Sequence, residues 1–161
     1  MRTIESLLAE YAESHQKKLN IAIHYICVPL IFFSLIGLLA SIPLPNSITN
    51  TLPVSILPYA HLGTVIIILG LIYYLRLSVV LFIGMLLFSA LVLFFIHQIE
   101  LLQLAPLWLI MLIIFIVAWI GQFIGHNHEG KKPSFIKDLQ FLMIGPAWTM
   151  SHLLDALGIK Y

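Results

Sequence analysis

The hydrophobic positions of this chain form long uninterrupted runs that are separated by short polar segments. No Asp, Glu, Lys or Arg occurs between Lys18 and Arg76, and a bilayer-spanning helix needs about 20 apolar residues, so this stretch has room for two spans. Four prolines in the string SIPLPNSITNTLPVSILP divide the stretch, because proline interrupts helical hydrogen bonding. The pattern predicts four spans, at about 21–41, 59–75, 77–97 and 104–124.

Two shorter helical segments flank the predicted spans. Residues 3–16 form an amphipathic pattern, with four apolar residues on one side of a helix: Ile4, Leu7, Leu8 and Tyr11. Residues 134–157 are apolar but interrupted by charged residues, glycine and proline, which is typical of an interfacial or half-buried helix pair. The expected fold is therefore all-α. It is a polytopic membrane helical bundle in which residues 1–161 form a single integral membrane domain.

Composition supports a membrane protein and excludes several functional classes. Charged residues make up 9% of the chain and hydrophobic residues 61%, whereas a soluble domain has roughly 25% charged residues. The net charge of +1 and the absence of a basic stripe argue against a nucleic-acid partner. Cys27 is the only cysteine, so neither an intrachain disulfide nor a cysteine-based zinc site can form.

Lysine and arginine predict the orientation of the spans. Basic residues lie at alternate span ends, at Lys17–Lys18, Arg76 and Lys131–Lys132, whereas the opposite loops at 42–58 and 98–103 contain none. Positive charge near span ends marks the cytoplasmic side, so both termini are predicted to be cytoplasmic. We expect a multi-pass protein of a bacterial inner membrane, or of the endoplasmic reticulum in a eukaryote.

Four histidines fall at one predicted membrane face. His15 and His24 lie where the first span begins, and His126 and His128 lie where the last span ends. Histidine is the commonest metal ligand near neutral pH, and ionisable groups at membrane depth are usually paired or functional. His15, His24 and His126 together therefore indicate a metal site. His15 and His24 can share it only if the chain bends between them, at about residues 17–20.

Other residues near this face leave alternatives open. His126 and His128 cannot share one helix face, so at least one of them needs non-helical backbone to bind the same metal. Gly125 is expected to let the backbone turn as the fourth span ends. Glu129 is a candidate ligand, a partner that orients a histidine, or a base. A role for His128 or His152 is undecided from the pattern. Trp148 is explained by packing or by anchoring at the interface.

His61 and His97 belong to the opposite predicted face. A hydrogen-bonded histidine at the interface explains His61, and a solvated span end explains His97. Neither residue is a candidate ligand.

Two strings of the chain resemble the motifs of the 2-hydroxy fatty acid dioxygenase family. The string YAESHQKKLNIAIHYICVPL is similar to the opening motif, and WIGQFIGHNHEGKKPSFIKDLQFLMIGP is similar to the second motif. The resemblance covers both ends of the chain and the number of spans. The matching residues are Tyr11, His15, Gln16, Asn20, His24, Pro29, Gln122, Gly125, His126, Glu129, Pro133, Leu139, Gly145 and Pro146.

The resemblance implies an iron-dependent membrane enzyme. Fungal relatives are endoplasmic-reticulum proteins of phytosphingosine breakdown that shorten a 2-hydroxy fatty acid by one carbon, using Fe(II) and dioxygen. On this basis Fe(II) is the expected cofactor, with His15, His24, His126 and His128 as metal ligands and Glu129 as a catalytic residue. A 2-hydroxy fatty acid, dioxygen and membrane lipid are the expected partners. The alternatives are a non-catalytic lipid- or metal-binding membrane protein and a haem protein with paired histidines.

Overall fold

A computed structural model describes residues 4–13, 15–130 and 143–160, and this part of the chain is helical without named strands. The helices are α1 (Ile4–Ala12), α2 (Lys18–Ala40), α3 (Asn46–Thr49), a 3-10 turn (Leu57–Tyr59), α4 (Leu62–Leu77), α5 (Val79–Leu102), α6 (Leu107–Glu129) and α7 (Ile144–Ala156). The predicted helical membrane bundle is confirmed.

Three of these helices are long and apolar enough to cross a membrane, namely α2, α5 and α6. The second predicted span corresponds to α4, which is shorter at 16 residues. It begins at Leu62 rather than near residue 59, because Leu57–Tyr59 form a 3-10 turn. His61 then caps α4, its side chain accepting a hydrogen bond from the backbone N–H of Thr64. This is the hydrogen-bonded role predicted for His61.

The last span ends later than predicted. We expected the backbone to turn at Gly125, but α6 continues to Glu129 and ends at Gly130, which has a positive φ of 79°. Gly125 instead permits close packing, since a Cβ atom there would overlap Oδ1 of Asn20 on α2. Small residues commonly allow membrane helices to approach one another. The expected turn at Gly125 is therefore wrong, and α2 and α6 form the most extensive helix pair.

The two flanking segments pack on each other at one end of the bundle. The predicted apolar side of α1, formed by Ile4, Leu7, Leu8 and Tyr11, is buried and shares a core cluster with Ala147, Trp148 and Leu154 of α7. The hydroxyl of Tyr74 in α4 donates to the backbone carbonyl of Met143 at 2.6 Å, just before α7 begins. Within the predicted segment 134–157, residues 134–142 lie outside the described residues, as do Lys131 and Lys132.

Topology gives the first testable prediction. Lys17 follows α1 and Arg76 follows Tyr74, and both α1 and Tyr74 contact the α7 region, so these basic positions lie at one end of the bundle. Because basic residues favour the cytoplasmic side, we expect reporter fusions at residues 50 and 161 to report opposite sides, with residue 161 cytoplasmic. If both fusions reported the same side, the four-span topology would be wrong.

Candidate metal centre

Three histidines from three different segments converge at the α1–α7 end of the bundle. His15 follows α1, His24 lies in the second turn of α2, and His126 lies in the last turn of α6. One potential ligand atom from each lies within 4.8 Å of the other two. The ring centroids are 4.2 Å apart for His15–His24, 4.9 Å for His24–His126 and 5.3 Å for His15–His126. These three buried residues could hold a metal ion.

Local chain geometry explains how His15 and His24 reach one point. Residues 15–17 are not helical, and α2 begins only at Lys18. The predicted bend between the two histidines is therefore present, but it lies at residues 15–17 and not at 17–20. Burial is nearly complete, with exposed fractions of 4% for His15, 1% for His24 and 5% for His126.

Backbone hydrogen bonds fix the ring nitrogens of two histidines. Nδ1 of His15 lies 2.6 Å from the carbonyl oxygen of Tyr11, and Nδ1 of His24 lies 2.8 Å from that of Asn20. A carbonyl oxygen only accepts hydrogen bonds, so each Nδ1 is protonated and, in a neutral ring, Nε2 has the lone pair. Metal-bound histidines characteristically donate their other ring N–H in this way. The donor set therefore fits a metal ion.

Aromatic and amide side chains enclose the three rings. Tyr11 stacks on His15, with centroids 4.3 Å apart and planes at 12°. The Trp148 ring lies 5.5 Å from His15, and Gln122 is buried on α6 one turn before His126. The enclosure keeps bulk water away from the rings, which strengthens electrostatic interactions at this point.

Glu129 joins the end of α6 to the start of α2. Its carboxylate accepts hydrogen bonds from the backbone N–H of Gln16 at 3.2 Å, from that of Lys17 at 3.0 Å, and from the Asn20 side-chain amide at 3.1 Å. A carboxylate at a helix N-terminus is also favoured by the helix dipole. These donors lie between His15 and His24 in the sequence, so the carboxylate holds together segments that contain all three histidines.

Two further histidines, His128 and His152, lie near this end of the bundle but are not part of the three-histidine cluster. His128 is exposed on α6, about 200° around the helix from His126, and its backbone carbonyl accepts a hydrogen bond from Nζ of Lys17. His152 on α7 packs on Trp148, with centroids 4.2 Å apart, and its Nδ1 donates to the Trp148 carbonyl at 2.9 Å. Within the described residues, the cluster contains neither of them.

His97 lies at the other end of the bundle, as predicted. Its ring contacts Tyr59 of the 3-10 turn at 5.6 Å and lies 4.0 Å from the Glu100 carboxylate.

Trp148 contributes to the site, although the sequence did not predict this. The indole ring contacts Tyr11, His15 and His152, but an isolated tryptophan near a predicted interface has a simpler explanation as an anchor. The available signal was its place two residues after Gly145–Pro146, the pair that ends the second motif.

The comparison with protein families decides the assignment. The family model described as 2-hydroxy-palmitic acid dioxygenase Mpo1-like matches residues 1–157. The chain belongs to this family. This match confirms the resemblance that the two motifs indicated. The matched Mpo1-like region includes the three clustered histidines, Glu129 and α7. Neither a curated protein nor a solved structure matches the chain.

Proposed function

We propose that this Mpo1-like protein is an iron(II)-dependent dioxygenase that shortens 2-hydroxy fatty acids by one carbon. The observation that carries the proposal is the buried cluster of His15, His24 and His126 at the end of the membrane spans. The family name describes an enzyme for such a substrate. A site at this depth suits an acid whose head group is polar and whose tail lies among apolar helices.

The chemistry of the donors is compatible with iron. Imidazole nitrogens bind Fe, Zn, Cu and Ni, and a non-haem Fe(II) site characteristically keeps positions open for substrate and oxygen. Three protein donors leave such positions. When bound, iron would supply a centre that chelates the hydroxyl and carboxylate of the substrate and activates dioxygen. An oxidative reaction favours iron over zinc, because zinc has no redox chemistry.

The residues of the chain would hold and shield the reacting groups. His15, His24 and His126 are the proposed ligands, and the carbonyls of Tyr11 and Asn20 hold two of these rings in the required tautomer. We place Glu129 as a positioning residue, because its oxygens already accept three N–H donors between His15 and His24. His128 is left outside the ligand set, because its side chain is exposed.

The overall reaction requires no separate reductant. One 2-hydroxy acid and one dioxygen molecule contain the atoms of the shortened acid, one carbon dioxide and one water. The proposal therefore predicts turnover without an added nicotinamide or 2-oxoglutarate.

The reaction is the second prediction. Purified protein supplied with Fe(II) and oxygen should convert 2-hydroxypalmitic acid to the acid one carbon shorter, while palmitic acid remains unconverted. The hydroxyl should matter because it completes the chelate, whereas the tail is the same in both acids. Mass spectrometry of the two acids incubated in parallel measures the outcome. Equal shortening of both acids would rule out the chelation mechanism.

Metal analysis separates the proposal from its alternatives. Iron near one per chain without a Soret band supports the dioxygenase, whereas a Soret band would indicate haem. Bound metal without turnover of any 2-hydroxy acid would indicate a metal-binding protein, and the absence of metal after purification in iron-replete medium would favour a lipid-binding protein.

A further inference from the structure

A second feature lies near the metal centre, among residues that Trp148 also contacts. It is a groove of about 480 Å³ between α2, α5 and α7. Its walls include Tyr25 and Pro29 of α2, Phe88 of α5, and the face of α7 that runs from Pro146 to Ala156. Apart from the polar groups of Tyr25, Thr149 and His152, the lining is apolar. We refer to this feature as the α7 groove.

Trp148 contacts one of the three histidines and also two residues that line the α7 groove. The Trp148 ring lies 5.5 Å from His15, 4.2 Å from His152 and 5.7 Å from Tyr25. Tyr25 directly follows His24 in the chain. A ligand with its polar head at the cluster and its apolar remainder in the groove would therefore extend past Trp148.

The dimensions of the groove favour a chain-like occupant. The α7 wall from Pro146 to Ala156 covers ten residue steps, or about 15 Å at the helical rise. The volume falls within the range of small-molecule sites, about 300–1,000 Å³. Leu153 and Ala156 on the rim are exposed, so the groove opens towards the surroundings of the bundle. The α7 groove is long and apolar, with a few polar groups, and lies near a candidate metal site. It therefore suits an alkyl chain better than a compact polar molecule.

We propose that the α7 groove binds the alkyl tail of the acid whose head group is held at the three histidines. This inference rests on the proposed function for the identity of the head group. Lipid tails are themselves apolar, so a tail gains little hydrophobic free energy by leaving a bilayer for the groove. The role of the groove is therefore to orient the substrate and to select its chain length, rather than to supply affinity.

Filling the groove should change chain-length preference. We choose Ala156→Phe, which adds a ring at the exposed rim, and Ala90→Phe as the matched control, because Ala90 is exposed on α5 and does not line the groove. Kinetics are measured with 2-hydroxy acids of sixteen and of ten carbons. Steric overfilling commonly has effects of about 1–3 kcal/mol, which correspond to about 5- to 150-fold.

We therefore expect Ala156→Phe to lower kcat/KM for the longer acid by about tenfold or more and for the shorter acid by less than threefold. Ala90→Phe should change neither value. Iron content is measured alongside and should equal that of the wild type in both variants. An unchanged chain-length profile in an Ala156→Phe protein that retains its iron would overturn the inference.

A binding measurement tests the groove without turnover. Trp148 is made the only tryptophan by Trp108→Phe and Trp119→Phe, and the protein is placed in nanodiscs of unbrominated phospholipid. Palmitic acid brominated in mid-chain should quench Trp148 fluorescence saturably, and unbrominated palmitic acid should reverse the quenching. Adding Ala156→Phe should weaken this quenching several-fold, whereas adding Ala90→Phe should not.

The two measurements separate failure of the groove from failure of the reaction. Saturable quenching without any turnover would support a fatty-acid site while contradicting the dioxygenase. Turnover with quenching that neither saturates nor responds to Ala156→Phe would overturn the groove alone. In a parallel preparation with brominated phospholipid, quenching that palmitic acid fails to reverse would also overturn it, because the occupant would then be a membrane lipid.

Discussion

Replacing His24 with alanine is expected to remove nearly all bound iron and to lower dioxygenase activity by more than a hundredfold. His24 has the most buried ring of the three, and it lies 4.2 Å from His15 and 4.9 Å from His126 between ring centroids. No neighbouring side chain in the described cluster offers a substitute imidazole, so two ligands would remain. The same loss is expected for His15→Ala and His126→Ala.

Iron per chain after detergent purification and turnover of 2-hydroxypalmitic acid measure this prediction. Helical circular dichroism should stay near that of the wild type, since α2 and α6 remain in extensive contact. His97→Ala is the control, because His97 is a part-buried histidine that lies at the opposite end beside Tyr59 and Glu100. It should retain both iron and activity. Full iron retention in His126→Ala would refute the ligand assignment.

The second large effect is expected when Glu129 is replaced. It distinguishes a carboxylate that positions the metal ligands from one that acts as a catalytic base. Losing a partner that orients metal ligands typically weakens metal affinity or activity by about 10- to 100-fold. In Glu129→Ala the N–H groups of Gln16 and Lys17 and the amide of Asn20 lose their shared acceptor. The segment that contains His15 then loosens against α6. We therefore expect weaker iron binding, with kcat at saturating iron within a few-fold of the wild-type value.

Glu129→Gln separates the two roles further, because the amide side chain keeps one oxygen acceptor but loses the negative charge. A positioning role predicts an iron affinity between those of the wild type and Glu129→Ala. A base would instead lose kcat in Glu129→Gln while iron affinity stayed unchanged, and that result would contradict positioning. Glu100→Gln serves as the control, since Glu100 is an exposed acid at the opposite end of the bundle.

The sequence was sufficient to predict the helices and the convergence of three histidines. Uninterrupted apolar runs and prolines located the spans because bilayer thickness sets the length of a spanning helix. The alternation of basic residues placed His15, His24 and His126 at one face. The apolar side of α1 was also predicted correctly, because apolar residues spaced three and four apart fall on one side of a helix.

Features that depend on contacts between distant residues could not be predicted. Glycine marks both turns and close helix packing, so Gly125 was assigned to a turn although it lies against Asn20. The partners of Glu129 are more than a hundred residues away in sequence. The α7 groove arises only where α7 lies against α2 and α5, and no periodicity within α7 itself indicates that placement.

The position of His15, directly after α1, also determines the order in which the metal centre assembles. His24 and His126 belong to helices that enter the membrane as they are synthesised, whereas His15 follows α1, whose apolar side packs on α7 near the end of the sequence. A nascent chain that has inserted α2 and α6 therefore offers an ion only two imidazoles. The third should come into place once α7 has been synthesised and α1 packs on it, so we expect metal loading to follow the insertion of α2 and α6.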